Sequence, residues 1–300
     1  MSLDRLSKSG LIEENVALGP LTTYKAGGPS RFFSAPNSVD ELEELAGLIR
    51  GHELDVLVLG RGSNLLVSDD GFDGITIQMA QGFDGIEYEG LRVTAGAGAT
   101  LPRVARGSVD AGIAGLEFFV GVPGSVGGAV RQNAGCFGVE TRDRMVEATL
   151  IDLGKGERFT AGPDDLDMSY RHSNVQSDWI VVSAVFEGTG ADVSNSREEL
   201  KRITRWRKDH QPGGTLNAGS VFKNPEGTSA GALIDAAGLK GLKMGEVSVS
   251  EKHANFFVAS KSAKSSDVRR LVFHVRDLVE ARMGVRLEPE IQMVGFDDDD

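Results

Sequence analysis

From Ser38 to Arg50 the apolar residues Val39, Leu42, Leu45, Ala46 and Ile49 recur every three or four positions, which places them on one face of a helix. Ser38 and Glu41 form a capping box at its start, and Gly51 is positioned to end it in the left-handed conformation. Leu54–Leu59 then runs as a short apolar block, the pattern of a strand buried on both faces. Gly60-Arg61-Gly62-Ser63-Asn64 follows directly, and Leu65–Val67 resumes the apolar run. A second block opens near Ile75. Leu91, Val93 and Ala95 alternate as in a strand, and Thr100 caps a helix with Pro102 in its first turn that reaches Ala111. Val146–Asp152 and Trp179–Phe186 read as further strands. Glu198–Lys208 reads as a helix leading into a third block, where Ser229–Ala237 is a short helix closed by Gly238. Ser266–Met283 is strongly amphipathic, with Val268, Leu271, Val272, Val275, Leu278 and Val279 at helical spacing and Gly284 as the cap. Strands and helices alternate irregularly and no internal repeat is visible, so the pattern predicts an α+β protein.

Composition narrows this picture. A chain of 300 residues has room for two or three domains. Its 40% hydrophobic and 25% charged residues are those of a soluble globular protein. No apolar run reaches the ~20 residues that would span a bilayer, and Met1–Gly10 lacks an apolar signal core. Cys136 is the single cysteine, so neither an intrachain disulfide nor a cysteine metal cluster is possible. His52, His172, His210, His253 and His274 show no paired ligand spacing, so no metal centre is expected. A cytosolic location fits these features. The net charge of −12, part of it in the solvated tail Asp297–Asp300, argues against a nucleic-acid binder but leaves room for one local basic pocket. The 39 glycines change the picture most, because so many point to turns with positive φ or to backbone lying close against a ligand.

Several segments can carry chemistry. In Gly60–Asn64 the glycines let backbone N–H groups converge on an anion, with Ser63 and Asn64 adding donors. A tight turn accounts for this segment equally well, and it lacks the third glycine of a dinucleotide fingerprint. Gly121-Val-Pro-Gly-Ser-Val-Gly-Gly-Ala-Val130, followed by Asn133-Ala-Gly135, is richer in glycine than a structural loop needs. It suggests a chain lying flat against a pyrophosphate. In Asn217-Ala-Gly-Ser-Val-Phe-Lys-Asn-Pro225, Ser220 beside Gly219 can be presented in a cleft, while Lys223 and Asn224 can hold phosphate. The segment is not a nucleophile elbow, which disfavours acyl transfer, and a serine in this setting is also an ordinary turn residue. Arg171 in Ser169-Tyr-Arg-His-Ser173 can fork onto a carboxylate or simply face solvent. His253 and Asn255 precede an apolar strand, and Glu290 in Leu287-Glu-Pro-Glu290 stands at the start of another, Ile291–Val294.

Taken in order, Gly60–Asn64, Gly121–Gly135, Tyr170–Arg171, Asn217–Pro225, Ser250–Phe257 and Leu287–Glu290 closely resemble the UDP-N-acetylenolpyruvoylglucosamine reductase family over roughly Leu21 to Val294. The resemblance implies a two-part FAD-binding domain of the vanillyl-alcohol-oxidase type, residues 1–74 and 75–197, then a smaller α+β substrate-binding domain at 198–300. It implies catalytic roles for Arg171, Ser220 and Glu290, and substrate contacts from Tyr170, Lys223, Asn224, His253 and Asn255. FAD, held non-covalently, would contact Gly60, Arg61, Gly62, Ser63, Asn64 and Leu65 in the first loop. In the second it would contact Gly121, Pro123, Gly124, Ser125, Gly127, Gly128, Ala129, Asn133, Ala134 and Gly135. NADPH is the implied hydride donor and UDP-N-acetylglucosamine enolpyruvate the implied substrate, with the protein a monomer or weak dimer. Thr22–Gly28 matches the family's N-terminal start.

Two features depart from the family pattern. Arg131-Gln132 replaces the usual pair before Asn-Ala-Gly, and Trp179 follows Arg171 too soon for the tyrosine loop that closes over substrate in some members. The chain therefore resembles the shorter type. Two other readings stay open from the residues: an FAD oxidase with Cys136 available for a covalent flavin link, and a non-catalytic sugar-nucleotide binder.

Overall fold

The computed structural model describes residues 10–79 and 81–296; the tail Asp297–Asp300, expected to be solvated, lies outside them. The chain forms two compact units. One comprises the described residues up to Asn15, Phe32–Arg61 and Asp73–Arg205, and the other comprises Val16–Arg31, Gly62–Phe72 and the described residues from Trp206 onward. Each has its own hydrophobic core. Strands and helices are mixed in both, as an α+β pattern requires.

In the first unit, the strands Glu157–Ala161, Met145–Asp152, Trp179–Glu187, Arg92–Gly96 and Ile86–Glu89 form an antiparallel sheet in that order. The alternation read in Val93 and Ala95 puts both side chains in the core, whereas Leu91 lies before the strand and is exposed. A second sheet has the order Glu13–Ala17, Pro29–Ser34, Phe72–Gln78, Val56–Leu59. Val56–Leu59 is last in that order and pairs in parallel with Phe72–Gln78. The sequence pointed to a strand buried on both faces; as an edge strand it instead leaves Val56, Leu57 and Val58 half-buried, with only Leu59 fully covered.

Helix α1, Val39–Ile49, buries Leu42, Leu45, Ala46 and Ile49. Its cap differs slightly from the expected box: the Ser38 hydroxyl accepts the Glu41 N–H at 3.1 Å, but the Glu41 carboxylate accepts from Asn37, one residue earlier. Helix α2, Leu101–Asp110, has Pro102 in its first turn, while Thr100 at its start makes no side-chain cap bond. Helix α3, Val126–Gln132, rises from the glycine-rich segment, and α4 is longer than its apolar pattern indicated, spanning Val193–His210.

The second unit contains Leu65–Val67, which pairs in parallel with Gln292–Val294. It also contains a three-stranded sheet of Lys243–Met244, Val247–Val249 and Phe257–Ala259. Helix α5, Ala230–Ala236, is capped by Ser229, whose hydroxyl accepts the Ala232 N–H at 3.2 Å. Helix α6, Ser265–Met283, buries Val268, Leu271, Val272, Val275 and Val279 and ends at Gly284 with φ +69°. Its first N–H groups, from Ser265 and Ser266, donate to the Asp69 carboxylate at 2.9 and 3.0 Å. Burial raises the Asp69 pKa, but these bonds outweigh it and hold the carboxyl below its ordinary value. Among the described residues no helix is long and apolar enough to cross a membrane.

Candidate active site

The two glycine segments of the first unit meet where Gly60 leaves its strand. A Cβ on Gly60 would stand 2.5 Å from the Ser125 hydroxyl oxygen, so the two segments approach closely here and a larger residue would have to displace that hydroxyl. The second segment does not lie flat as the sequence suggested, because Gly127, Gly128 and Ala129 form the start of α3. Nor are all its N–H groups unused: Val126 donates to the Ala99 carbonyl at 3.0 Å and Gly127 to that of Ala97 at 2.9 Å. Gly127 also permits close packing, since its Cβ would meet that of Ala97 at 3.1 Å. Gly128 is different. It is exposed, and the nearest atom a Cβ would meet is the Ser125 hydroxyl oxygen at 3.8 Å. Pro123 is also exposed, and Gly124 has φ +138°. Neither Gly60–Asn64 nor Gly121–Ala129 contains a carboxylate. Small residues, backbone donors and the absence of negative charge suit the diphosphate of FAD.

Arg171 belongs to the same unit and is anchored on the chain that follows α3. Its Nη2 donates to the Gly135 carbonyl at 2.9 Å, its Nη1 lies 3.3 Å from the Glu140 carboxylate, and its Cζ is 4.9 Å from the ring centre of exposed Tyr170. Asn133 is fully buried, and its amide donates to Glu140 and to the Ser169 carbonyl, both at 2.8 Å, while accepting the Arg142 N–H at 2.9 Å. That side chain is thus engaged within the protein. Arg131 is a staple: its Nη1 donates to the carbonyls of Val175 and Gln176, both at 3.1 Å, and burial lowers its pKa. The Cys136 thiol donates to the Phe118 carbonyl at 3.1 Å.

Ser220 and Glu290 lie together in the second unit. Gly219, with φ +76°, turns the chain before Ser220, and its N–H donates to the Asn217 side chain at 3.0 Å. Beyond Ser220, the Val221 N–H donates to the Asn255 carbonyl at 2.9 Å, and the Glu290 N–H donates to the Val221 carbonyl at 2.7 Å. Asn255 is buried, and its side-chain amide accepts the Phe222 N–H at 3.0 Å and donates to the Phe222 carbonyl at 2.8 Å. Through its backbone and its side chain it holds the two residues that follow Ser220. Asn64 donates to the Glu290 carbonyl at 2.9 Å. Gly62, with φ +60°, would run into the Leu21 carbonyl if it carried a Cβ.

Lys223 pairs with Glu288 at 2.6 Å, and Asn224 accepts the Ala230 N–H at 3.0 Å at the start of α5. His253 accepts the Asn255 N–H on Nδ1 at 3.3 Å, and burial lowers its pKa. The sequence therefore brings Ser220, Glu290, Asn64, Asn255 and Lys223 into one unit and Arg171, Tyr170 and Asn133 into the other. Two supporting residues escaped the sequence reading. Asn217, two positions before a glycine, carries the signature of an Asx turn, whereas Glu140 has no local signal at all. Among the described residues no group of acidic, histidine and cysteine side chains could hold a metal ion.

The family model described as UDP-N-acetylenolpyruvoylglucosamine reductase, C-terminal domain, matches residues 211–294, and a model described as FAD binding domain matches residues 30–162. A UDP-N-acetylenolpyruvoylglucosamine reductase of Parvibaculum lavamentivorans is 42% identical over 297 residues, covering 98% of this chain and 94% of its own length. One from Rubrobacter xylanophilus is 39% identical over 296 residues, covering 98% of each. The crystal structure of UDP-N-acetylenolpyruvylglucosamine reductase from Thermus caldophilus is similar with a TM-score of 0.82 at 34% identity, covering 94% of this chain and 98% of that one.

Proposed function

The chain belongs to the UDP-N-acetylenolpyruvoylglucosamine reductase family, and from that premise we propose that it reduces UDP-N-acetylglucosamine enolpyruvate to UDP-N-acetylmuramate for peptidoglycan synthesis, with NADPH as hydride source. It is an oxidoreductase with FAD as its cofactor, and its fold is α+β with an FAD-binding domain, which we take to be of the vanillyl-alcohol-oxidase type. We assign the cofactor to the two glycine segments, residues 1–74 and 75–197 to its domain, and residues 198–300 to the substrate. The reaction is placed in the cytosol.

One contact carries the most weight. The 2.7 Å hydrogen bond from the Glu290 N–H to the Val221 carbonyl sets Glu290 on the segment paired with the residue after Ser220. A hydroxyl and a carboxyl held on paired backbone are what a carbon-protonation step needs.

Bound FAD supplies hydride-transfer chemistry. Reduction of an enol ether at its terminal carbon leaves negative charge on the carbon that bears the carboxylate, delocalised into the carboxylate oxygens. Arg171 stays charged and forks onto those oxygens; losing such a donor costs about 10²–10³-fold in rate. Ser220 delivers the proton to the second carbon. Its hydroxyl is a weak acid, but a carbanion-like carbon is a strong base. Glu290 acts as a neutral carboxyl that donates a hydrogen bond, since a second negative charge at that point would oppose the step. Tyr170, Lys223, Asn224 and His253 contact the substrate, and Asn255 contributes through its clamp on Phe222.

The test is anaerobic. In Ser220→Ala, flavin reduction by NADPH stays fast, while flavin reoxidation by UDP-N-acetylglucosamine enolpyruvate slows by about 10²-fold or more. If both half-reactions stayed fast, Ser220 would not be the donor. Acid precipitation of the holoenzyme releases the flavin if Cys136 forms no covalent link to it.

A further inference from the structure

Two anchors of the Arg171 guanidinium come from one small ladder. Gly135 pairs with Glu140 and Cys136 with Val139. Arg171 Nη2 bonds the Gly135 carbonyl, and Nη1 meets the Glu140 carboxylate. The pairing depends on glycine, because a Cβ at position 135 would collide with the Val139 carbonyl and sit 2.7 Å from the Glu140 Cα.

Glu140 is itself fixed. Besides Arg171, its carboxylate accepts from the Asn133 amide at 2.8 Å and from the Asp143 N–H, and Asp143 returns the bond by accepting the Glu140 N–H at 2.8 Å. Asn133 also holds the Ser169 carbonyl, two residues before Arg171, so one buried amide braces both the carboxylate and the segment that carries the arginine. Arg171 adopts φ +54°, a left-handed conformation uncommon for a side chain of its size. With 17% of the Arg171 side chain exposed and 24% of that of Glu140, the pair is shielded more than a surface ion pair.

We propose that Glu140 is a positioning residue for Arg171, ordering the guanidinium before substrate arrives so that the cost of immobilising a long side chain is met on folding. This rests on the reading that Arg171 engages the substrate carboxylate. A charge-assisted bond to a fixed carboxylate sets the plane and height of the fork, and a bidentate contact tolerates little error in either.

The experiment uses the FAD-loaded enzyme, reduced with dithionite and mixed anaerobically with UDP-N-acetylglucosamine enolpyruvate. Glu140→Gln and Glu140→Ala should slow flavin reoxidation by about 10- to 100-fold. Substrate affinity, measured by calorimetry on the oxidised enzyme, should stay near the wild-type value. Glu140→Asp should recover part of the rate. In an Arg171→Ala background, Glu140→Gln should add nothing further, because it acts through the missing guanidinium. Full reoxidation rates in Glu140→Gln beside a slow Arg171→Ala would overturn the positioning role alone. A fast Arg171→Ala would overturn the assignment of Arg171 itself. Equal losses from Glu140→Gln in the presence and absence of Arg171 would show that Glu140 acts independently of it. Should Glu140→Ala fail to fold, the near-isosteric Glu140→Gln decides the matter.

Discussion

The side-chain amide of Asn64 donates to the main-chain carbonyl of Glu290 at 2.9 Å, while the Asn64 carbonyl accepts the Gln292 N–H at 3.0 Å. Asn64 closes the first glycine loop, and its neighbours Leu65–Val67 pair in parallel with Gln292–Val294. The loop assigned to the cofactor is therefore tied to the carboxyl assigned to the substrate. The contact is to backbone, so it acts on where Glu290 sits.

Asn64→Ala removes that donor. An unsatisfied carbonyl costs about 1–3 kcal/mol where water cannot replace the partner, and a displacement of about 1 Å at a reacting group can cost ~10²-fold in rate. Flavin reoxidation by substrate should slow by about 10- to 100-fold in a protein that still unfolds cooperatively. Wild-type reoxidation in stopped flow would show that Glu290 is held in place without this bond.

Local rules recovered what depends on neighbours in sequence. The α1 stripe, the short helix that begins at Ser229 and Gly284 at the end of α6 were all legible, because each rests on residues within one or two turns. The order of the motifs singled out Ser220 and Glu290 as candidates, and the structure bonds the Glu290 N–H to Val221, the residue after Ser220. Illegible features have partners far along the chain. Asp69 caps α6 from almost two hundred positions away, and no local pattern announces it. Leu54–Leu59 reads as a buried strand because apolar runs do not reveal which strand will lie at an edge. The Asn133 side-chain amide is bonded to Glu140, Ser169 and Arg142, partners that its place beside glycine does not announce. Polarity beside glycine does not distinguish a contact with a ligand from a brace within the loop.

His253 should make stability depend on pH. Burial lowers its pKa, nearby Lys240 and His210 act in the same direction, and its Nδ1 already accepts the Asn255 N–H. The unfolded chain binds a proton on this residue near the ordinary histidine pKa of about 6.5, whereas the folded chain resists it. Between those values the unfolded state holds more protons, so stability falls as pH drops through about 6.5 and levels off below the folded pKa. Thermal unfolding from pH 8 to pH 5 should show a steeper loss for wild type than for His253→Gln. Parallel profiles would mean that His253 protonates without penalty in the fold.

Gly128 separates a structural glycine from one that faces a ligand. It lies in the first turn of α3, is exposed, and has its nearest potential Cβ neighbour at 3.8 Å. Nothing within the protein requires glycine there, and helix propensity favours alanine by up to about 1 kcal/mol. If this face receives the FAD diphosphate, Gly128→Ala should leave the apoprotein as stable as wild type or slightly more so, yet weaken flavin binding by about tenfold or more, equivalent to ~1.4 kcal/mol. Gly47→Ala is the control. Gly47 lies in α1 with nothing within 4 Å of a potential Cβ, so it gains the same propensity away from the glycine loops. The two variants should shift apoprotein melting alike and differ only in flavin titration. Equal, wild-type flavin affinities in both would move the cofactor off this turn and leave the Gly60–Ser125 junction as the remaining place for its diphosphate.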